Sequence, residues 1–150
     1  MATIKPNLSI EFLSAERTTE LWPKLKPLFN KAIEGNEIAK EEFETDDIYV
    51  LSQTGMCAIF VGYENGEPAC VLAIQFYTMD NKKGADVIAL AGRNLIQFKA
   101  AYWQSILNWL KENNIKFLDA YVTERWAKVY KSKFGFNRSC SYVRINLRES

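Results

Sequence analysis

Three apolar segments separated by two turns constrain the fold of this chain more than any other feature. Asn65-Gly66 lies between the first two segments, and this dipeptide is the strongest short signal for a β-hairpin. Residues 80–84 provide a second turn before the third segment. The sequence therefore predicts an antiparallel meander of three strands. Its strands are expected at residues 56–63, 69–77 and 85–91.

A long helix and a further strand are predicted after the meander. Gly92 ends the last strand of the meander, and Asn113-Asn114 ends the helix. The helix has an apolar face wide enough to cover a sheet. Because this helix separates two strands, the strand at 115–122 is expected to run parallel to the last strand of the meander. The apolar face contains Leu95, Phe98, Tyr102, Ile106 and Trp109.

The segment before the meander predicts one strand followed by short helices. Residues 8–13 alternate between apolar and polar side chains, which indicates a strand. Apolar positions at helical spacing then continue to Gly35, but Pro23 and Pro27 interrupt them. Because each proline fits only the first turn of a helix, the sequence favours two short helices with a break near Lys26.

An acidic segment connects these helices to the meander. Residues 36–47 contain six carboxylates and are predicted to form a short helix and then a loop. Residues 48–51 (Ile-Tyr-Val-Leu) are apolar and rich in β-formers, so we interpret them as a strand or the approach to one.

The C-terminal part of the chain carries the most specific pattern. Residues 124–134 predict a short amphipathic helix, Gly135-Phe136 ends it, and 139–147 predicts a closing strand. This succession resembles the C-terminal end of the GNAT superfamily of N-acetyltransferases. The full order, β-α-α-β-β-β-α-β-α-β, resembles the GNAT fold over nearly the whole chain. The resemblance implies a single α/β domain over residues 1–150, with a mixed sheet that splays after its fourth strand.

The resemblance also implies a cofactor and a place for it. Acetyl-CoA would lie in the splay, with its pyrophosphate at the start of the long helix, where backbone amides and the helix dipole favour an anion. The family pattern for this loop is [QR]-x-x-G-x-[GA], and here Gly92 alone matches its glycines. The implied cofactor-binding residues are Ala91, Gly92, Arg93, Asn94 and Leu95.

Two catalytic residues follow from the same resemblance. In active members a tyrosine four residues before the Gly-Phe glycine protonates the leaving thiolate. Here Tyr130 lies five residues before Gly135, and it is the implied acid. The chain has no histidine, so a base must be a carboxylate or an ordered water. Glu124 is the best-placed carboxylate; the weaker candidates are Asp86, Asp119 and Glu67.

Composition excludes several other classes of function. A formal net charge of +1 argues against bulk binding of nucleic acid. No apolar run approaches the roughly 20 residues that cross a bilayer. The three cysteines lack metal-ligand spacing, so no metal site is predicted, and free thiols indicate a reducing, cytoplasmic environment.

A second function stays open at the level of sequence. The segments 89–95 and 126–136, with the aromatic helix between them, are similar to a divergent GNAT-like group of tailed bacteriophages in which the phosphate loop is often eroded. That similarity implies a non-enzymatic virion or assembly protein, located in the host cytoplasm or the virion. Such a protein would use the fold to bind a protein partner or a second copy of itself. The sequence leaves this alternative open beside an acyl-CoA-dependent N-acetyltransferase.

Overall fold

The computed structural model describes residues 7–122, 124–137 and 145, without the side chains of residues 37, 38 and 124. The predicted closing strand at 139–147 lies outside the described residues apart from Ile145, and it stays a prediction. The elements in chain order are β1 (Leu8–Phe12), α1 (Ala15–Glu34), α2 (Glu37–Glu42), α3 (Thr45–Gln53), β2 (Cys57–Glu64), β3 (Glu67–Met79), β4 (Lys82–Gly92), α4 (Leu95–Glu112), β5 (Ile115–Ala120) and α5 (Glu124–Phe134).

The five strands form one mixed sheet in the order β1-β2-β3-β4-β5. The first four strands are antiparallel, and β5 runs parallel to β4. Asn65 and Gly66 both have positive φ, 52° and 83°, as a two-residue turn of the type that matches strand twist requires. The predicted meander and the parallel crossover through α4 are therefore confirmed.

Helix α1 is continuous, so the predicted break near Lys26 is wrong. Pro23 and Pro27 lie inside the helix, and both are exposed. The carbonyls that lose an amide partner therefore lie on the water side of the helix, where solvent can satisfy them. On the opposite side Leu25, Phe29 and Ile33 are buried against the sheet. Their burial outweighs the two missing hydrogen bonds.

Residues 48–51 belong to α3, so the prediction of a strand there is also wrong. The Asp47 carboxylate accepts a hydrogen bond from the Glu44 amide at 2.8 Å, which fixes the start of the helix. Ile48 is fully buried, and Leu51 packs against the same cluster one turn later. Three helices, rather than the predicted two, thus separate β1 from β2.

The two faces of the sheet are covered by different helices. Helix α1 packs on one face, and α4 covers the other with Phe98, Ile106 and Leu110, all buried. The predicted apolar stripe of α4 is confirmed. No helix within the described residues is both long and apolar enough to cross a membrane.

Strands β4 and β5 separate halfway along β4. Their pairing extends from Lys83↔Ile115 to Val87↔Ala120, whereas β4 continues to Gly92. A bulge lies at the same point, because Ile74 of β3 pairs with Val87 and Ala73 pairs with Ala89. Ile88 is therefore an extra residue in β4. The splay after the fourth strand, which the sequence resemblance implied, is present.

Candidate active site

A cleft of about 520 Å³ opens where β4 and β5 separate. One wall is the second half of β4, residues 87–92, which has no partner in β5 beyond Val87. The other walls come from the C-terminal end of α1, the first turns of α4 and the inner side of α5. At one end the Asn36 side-chain nitrogen, Nδ2, donates a hydrogen bond to the Tyr121 backbone carbonyl at 3.1 Å. This bond links the end of α1 to the end of β5. The volume is in the range of small-molecule sites, roughly 300–1,000 Å³.

The bulge gives this cleft a polar backbone element. Ile88 has no opposite residue on β3, and the pairing with β5 ends at Val87. Both Ile88 and Ala89 line the cleft. Ile88 is therefore the point at which the regular ladder of β4 is interrupted on both sides, beside the cleft.

The loop between β4 and α4 holds the cofactor-binding residues that the sequence resemblance implied. Ala91, Gly92 and Leu95 line the cleft. Gly92 has φ +131°, and a Cβ there would lie 2.3 Å from the Ala69 carbonyl oxygen and 2.4 Å from the Cys70 Cα. Close approach of β3 therefore requires glycine at this position, independently of any ligand.

Arg93 and Asn94 are committed to other partners. The Arg93 amide donates to the Ala69 carbonyl at 3.0 Å, and the Arg93 Nε lies 3.4 Å from the Glu64 Oε2. The Asn94 side chain also donates to that Glu64 oxygen. Neither residue is part of the cleft lining. Among the residues described, the amides of Leu95 and Ile96 at the start of α4 have no acceptor, as expected for the first turn of a helix.

Tyr130 lies in the wall of the cleft. It is carried by α5, where its ring stacks on Phe136 at 5.4 Å and meets Phe134 edge-on at 5.6 Å. Burial raises the pKa of the Tyr130 hydroxyl to about 12. The hydroxyl is therefore protonated at neutral pH and can donate a proton to a ligand in the cleft. The one-residue offset from the family spacing thus leaves Tyr130 facing the cleft.

Asp86 and Asp119 form an acidic pair just before the point of separation. They lie opposite each other on β4 and β5. The Tyr77 hydroxyl donates to the Asp119 Oδ2 at 2.5 Å, whereas the Asp86 Oδ1 is buried without a partner in the described part of the chain. Burial, followed by repulsion from Asp119 and from Glu42, raises the pKa of Asp86 to about 6. Asp86 is thus half-buried and poised near neutral pH.

The other two carboxylate candidates occupy different surroundings. Glu67 begins β3 and forms an exposed ion pair with Lys24, with 3.3 Å between the Nζ and Oε2 atoms. Glu124 is the first residue of α5, and its side chain lies outside the described part of the structure. Glu124 therefore stays a prediction. Asp86 lies opposite Asp119 through strand pairing, and its role as a base stays a prediction too.

The raised pKa of Asp86 predicts a pH dependence of stability. The folded state binds a proton more tightly than the unfolded state, whose aspartate pKa is about 3.9, so this group lowers stability as the pH rises from about 4 through 6. We expect Asp86→Asn to increase the free energy of unfolding by about 1–2 kcal/mol at pH 7.5, with the gain disappearing toward pH 4. Urea denaturation of both proteins across this range measures it. A gain that does not change with pH would contradict the assignment.

Three lysines at the cleft were not identified from the sequence. Lys31, Lys99 and Lys133 all line it, from the ends of α1, α4 and α5 that meet there. They are 68 and 34 residues apart in the chain, and no motif links them. Only the packing of three helices around the separation of β4 and β5 brings them together.

Comparison with known proteins adds the fold but no close relative. No family model matches the chain, and no curated protein is similar in sequence. Solved structures are similar over nearly the whole chain. A predicted acetyltransferase with acetyl-CoA from Clostridium acetobutylicum is 16% identical, with 96% of this chain and 99% of that chain covered and a TM-score of 0.65.

Two further structures agree with the first. An aminoglycoside acetyltransferase from an uncultured soil metagenomic sample is 15% identical, covers 94% of this chain and 99% of its own, and has a TM-score of 0.69. A GCN5-related N-acetyltransferase from Ralstonia eutropha is 14% identical, with coverage of 93% and 99% and a TM-score of 0.67. The chain therefore has the mixed α/β fold of GNAT acetyltransferases, as the sequence predicted. Nothing in the structure or in these similarities supports the bacteriophage alternative.

Proposed function

From the GNAT fold and the cleft at the separation of β4 and β5, we propose that this protein is an acyl-CoA-dependent N-acyltransferase. The observation that carries the proposal is the cleft itself, which combines an unpaired bulge residue, Ile88, with the hydroxyl of Tyr130. A neighbour of the same fold was crystallised with acetyl-CoA. The two described free cysteines, both buried, favour the cytoplasm as the location.

The residues of the cleft fit acetyl-CoA in chemical terms. The unpaired Ile88 amide is a donor for an acyl carbonyl oxygen, and the Leu95 and Ile96 amides with the positive end of α4 favour a phosphate. The apolar side chains of Leu90, Val122 and Trp126 line the rest of the wall and exclude water. Bound acetyl-CoA supplies an acyl thioester, whose acyl carbon forms an amide bond with a substrate amine as the carbon–sulfur bond breaks.

The chain's own residues would handle the two protons of this exchange. The Tyr130 hydroxyl donates its proton to the departing sulfur, since its pKa keeps it protonated. Asp86 accepts the proton that the amine nitrogen loses, either directly or through a water. It lies on β4 two residues before Ile88, about 7 Å along the strand and on the same face. Glu124 remains the second candidate for this role.

Isothermal titration of acetyl-CoA tests the proposal. We expect saturable binding with a Kd in the range of about 1–50 μM, typical of cofactor sites. Ile96 lines the cleft and is 68% exposed, so Ile96→Glu should weaken binding by adding a negative charge beside the start of α4, without disturbing the core. Ile96→Gln is the control of equal size and should bind nearly as tightly as the wild type. Absence of both heat and thermal stabilisation at millimolar acetyl-CoA would overturn the proposal.

A further inference from the structure

Resting on this proposed function, we infer that the phosphates of the cofactor are held by the ammonium groups of Lys31, Lys99 and Lys133. The protein would thus bind a polyphosphorylated thioester through side chains supplied by three helices. These charges would add to the backbone amides of Leu95 and Ile96 at the start of α4.

The loop before α4 offers a phosphate no unpaired cation, and one of its backbone donors is already used. The Arg93 amide is bonded to the Ala69 carbonyl, and the Arg93 guanidinium is paired with Glu64. Gly92 is pressed against Cys70, so its lack of a side chain serves the contact between β3 and β4. The Glu64 carboxylate also places a negative charge beside this loop. A full positive charge that faces a pyrophosphate must therefore come from outside this loop, in addition to the amides at the start of α4.

The lysines border the cleft from three directions. Lys99 follows Leu95 by one turn of α4, and side chains on a helix lean toward its N-terminus, so the Lys99 ammonium extends toward the start of α4. Lys133 lies in the last turn of α5 and Lys31 in the last turn of α1. A flexible ammonium on a long stem can follow a phosphate group without a fixed loop geometry.

The charge of the three lysines is not neutralised within the described structure. None of them has a carboxylate oxygen within 4 Å among the described residues, whereas Lys24, Lys26 and Arg93 each have one. Among the residues whose side chains the structure describes, those that line the cleft include no acidic one. Three unpaired cations around a concave, partly apolar site concentrate positive potential there. That potential suits a ligand with several phosphates and offers nothing to an uncharged thioester.

The experiment compares two ligands that share the acyl thioester arm. Acetyl-CoA carries the phosphates, and S-acetylpantetheine lacks all of them. We would measure the Kd of each by isothermal titration on the wild type, on the single variants Lys31→Met, Lys99→Met and Lys133→Met, and on the double variant of Lys99 and Lys133. Methionine keeps the aliphatic stem and removes the charge. The matched control is Lys111→Met with Lys128→Met, since both lysines are exposed on the same two helices and lie outside the cleft lining.

We expect each single substitution to raise the Kd of acetyl-CoA about tenfold and the double variant about 100-fold, as for lost charge-assisted hydrogen bonds. The Kd of S-acetylpantetheine should not change, and the control should bind both ligands as the wild type does. Binding of acetyl-CoA by the wild type should also weaken as salt is raised, more steeply than in the double variant.

Three results would overturn the inference in distinguishable ways. If the double variant binds acetyl-CoA within twofold of the wild type, the lysines do not hold the phosphates, and the proposed function stands. If the variants bind S-acetylpantetheine more weakly to the same extent as acetyl-CoA, the lysines act through the shape of the cleft and not through charge. If the wild type binds neither ligand, the proposed function itself fails and takes this inference with it.

Discussion

Replacing Gly92 with alanine is expected to lower the free energy of unfolding by about 3–5 kcal/mol. The backbone there has φ +131°, which strains any residue with a side chain, and the new methyl group would overlap the Ala69 carbonyl and the Cys70 backbone. Both neighbours are strand atoms within the sheet, so neither can move cheaply. Urea denaturation at constant pH measures the lost free energy of unfolding. The dependence of that free energy on urea concentration should be the same in both proteins if unfolding is two-state.

The matched control is Gly66→Ala in the hairpin turn. Gly66 also has a positive φ, 83°, but no atom lies within 4 Å of the added Cβ. Only conformational strain is expected there, about 1–2 kcal/mol. If the two variants lose the same free energy of unfolding, the close approach of β3 is not the reason that position 92 requires glycine. Since the large loss is expected without any ligand, weaker cofactor binding by a Gly92 variant would not show that the glycine contacts phosphate.

Asp86→Asn is expected to lower kcat for acyl transfer about 10²- to 10³-fold, the usual contribution of a general base. The KM for acetyl-CoA should change little, because Asp86 lies beside the cleft and is not part of its lining. In the wild type kcat/KM should fall as the pH drops below about 6, where Asp86 gains a proton. Initial rates with a panel of primary amines between pH 5 and 9 measure these quantities, and the variant should lack this acidic limb.

Asp119→Asn is the control for charge in the same acidic pair. Its side-chain oxygen can still accept the Tyr77 hydrogen bond, but it no longer repels the negative charge of Asp86. We expect less than a tenfold loss in kcat and a shift of the acidic limb to lower pH. If Asp86→Asn retains wild-type activity while Glu124→Gln loses it, the base is Glu124. A wild-type rate in both variants would leave a water as the acceptor.

The sequence predicted those parts of the fold that depend on local signals. Asn65-Gly66 specifies its turn by itself, and the stripe on α4 repeats for five turns, so both were recognised. Pro23 and Pro27 predict a break in the helix because the hydrogen bonds that they remove are local to the helix. The gain that keeps α1 continuous comes from burial against a sheet that is distant in the sequence. The short segment 48–51 was misinterpreted for a similar reason, since Ile48 is buried by residues of α1 and β2.

Some residues of the candidate site could likewise be predicted from the sequence, whereas contacts that depend on strand register could not. Ala91, Gly92, Leu95 and Tyr130 were implied by the resemblance to GNAT proteins, and each lines the cleft. Each lies at the end of a predictable strand or on a predictable helix. The occupation of the Arg93 amide could not be foreseen, since it depends on the register between β3 and β4. The pairing of Asp86 with Asp119 likewise depends on a register, and no pattern in the chain encodes it.

The extra residue in β4 changes the phase of that strand. Asp86 and Leu90 are four residues apart, an even number that would put both on one face of a regular strand. Instead, Val87 and Leu90 both pack toward α4, while Ile88 and Ala89 both pack toward α1. One inserted residue thus places Asp86 on the α1 face of β4 and Leu90 on its α4 face. Deleting Ile88 would restore regular alternation and force one half of β4 to exchange its faces. The position of the Asp86 carboxylate relative to the cleft therefore depends on the number of residues between them in β4, and not on a contact between them.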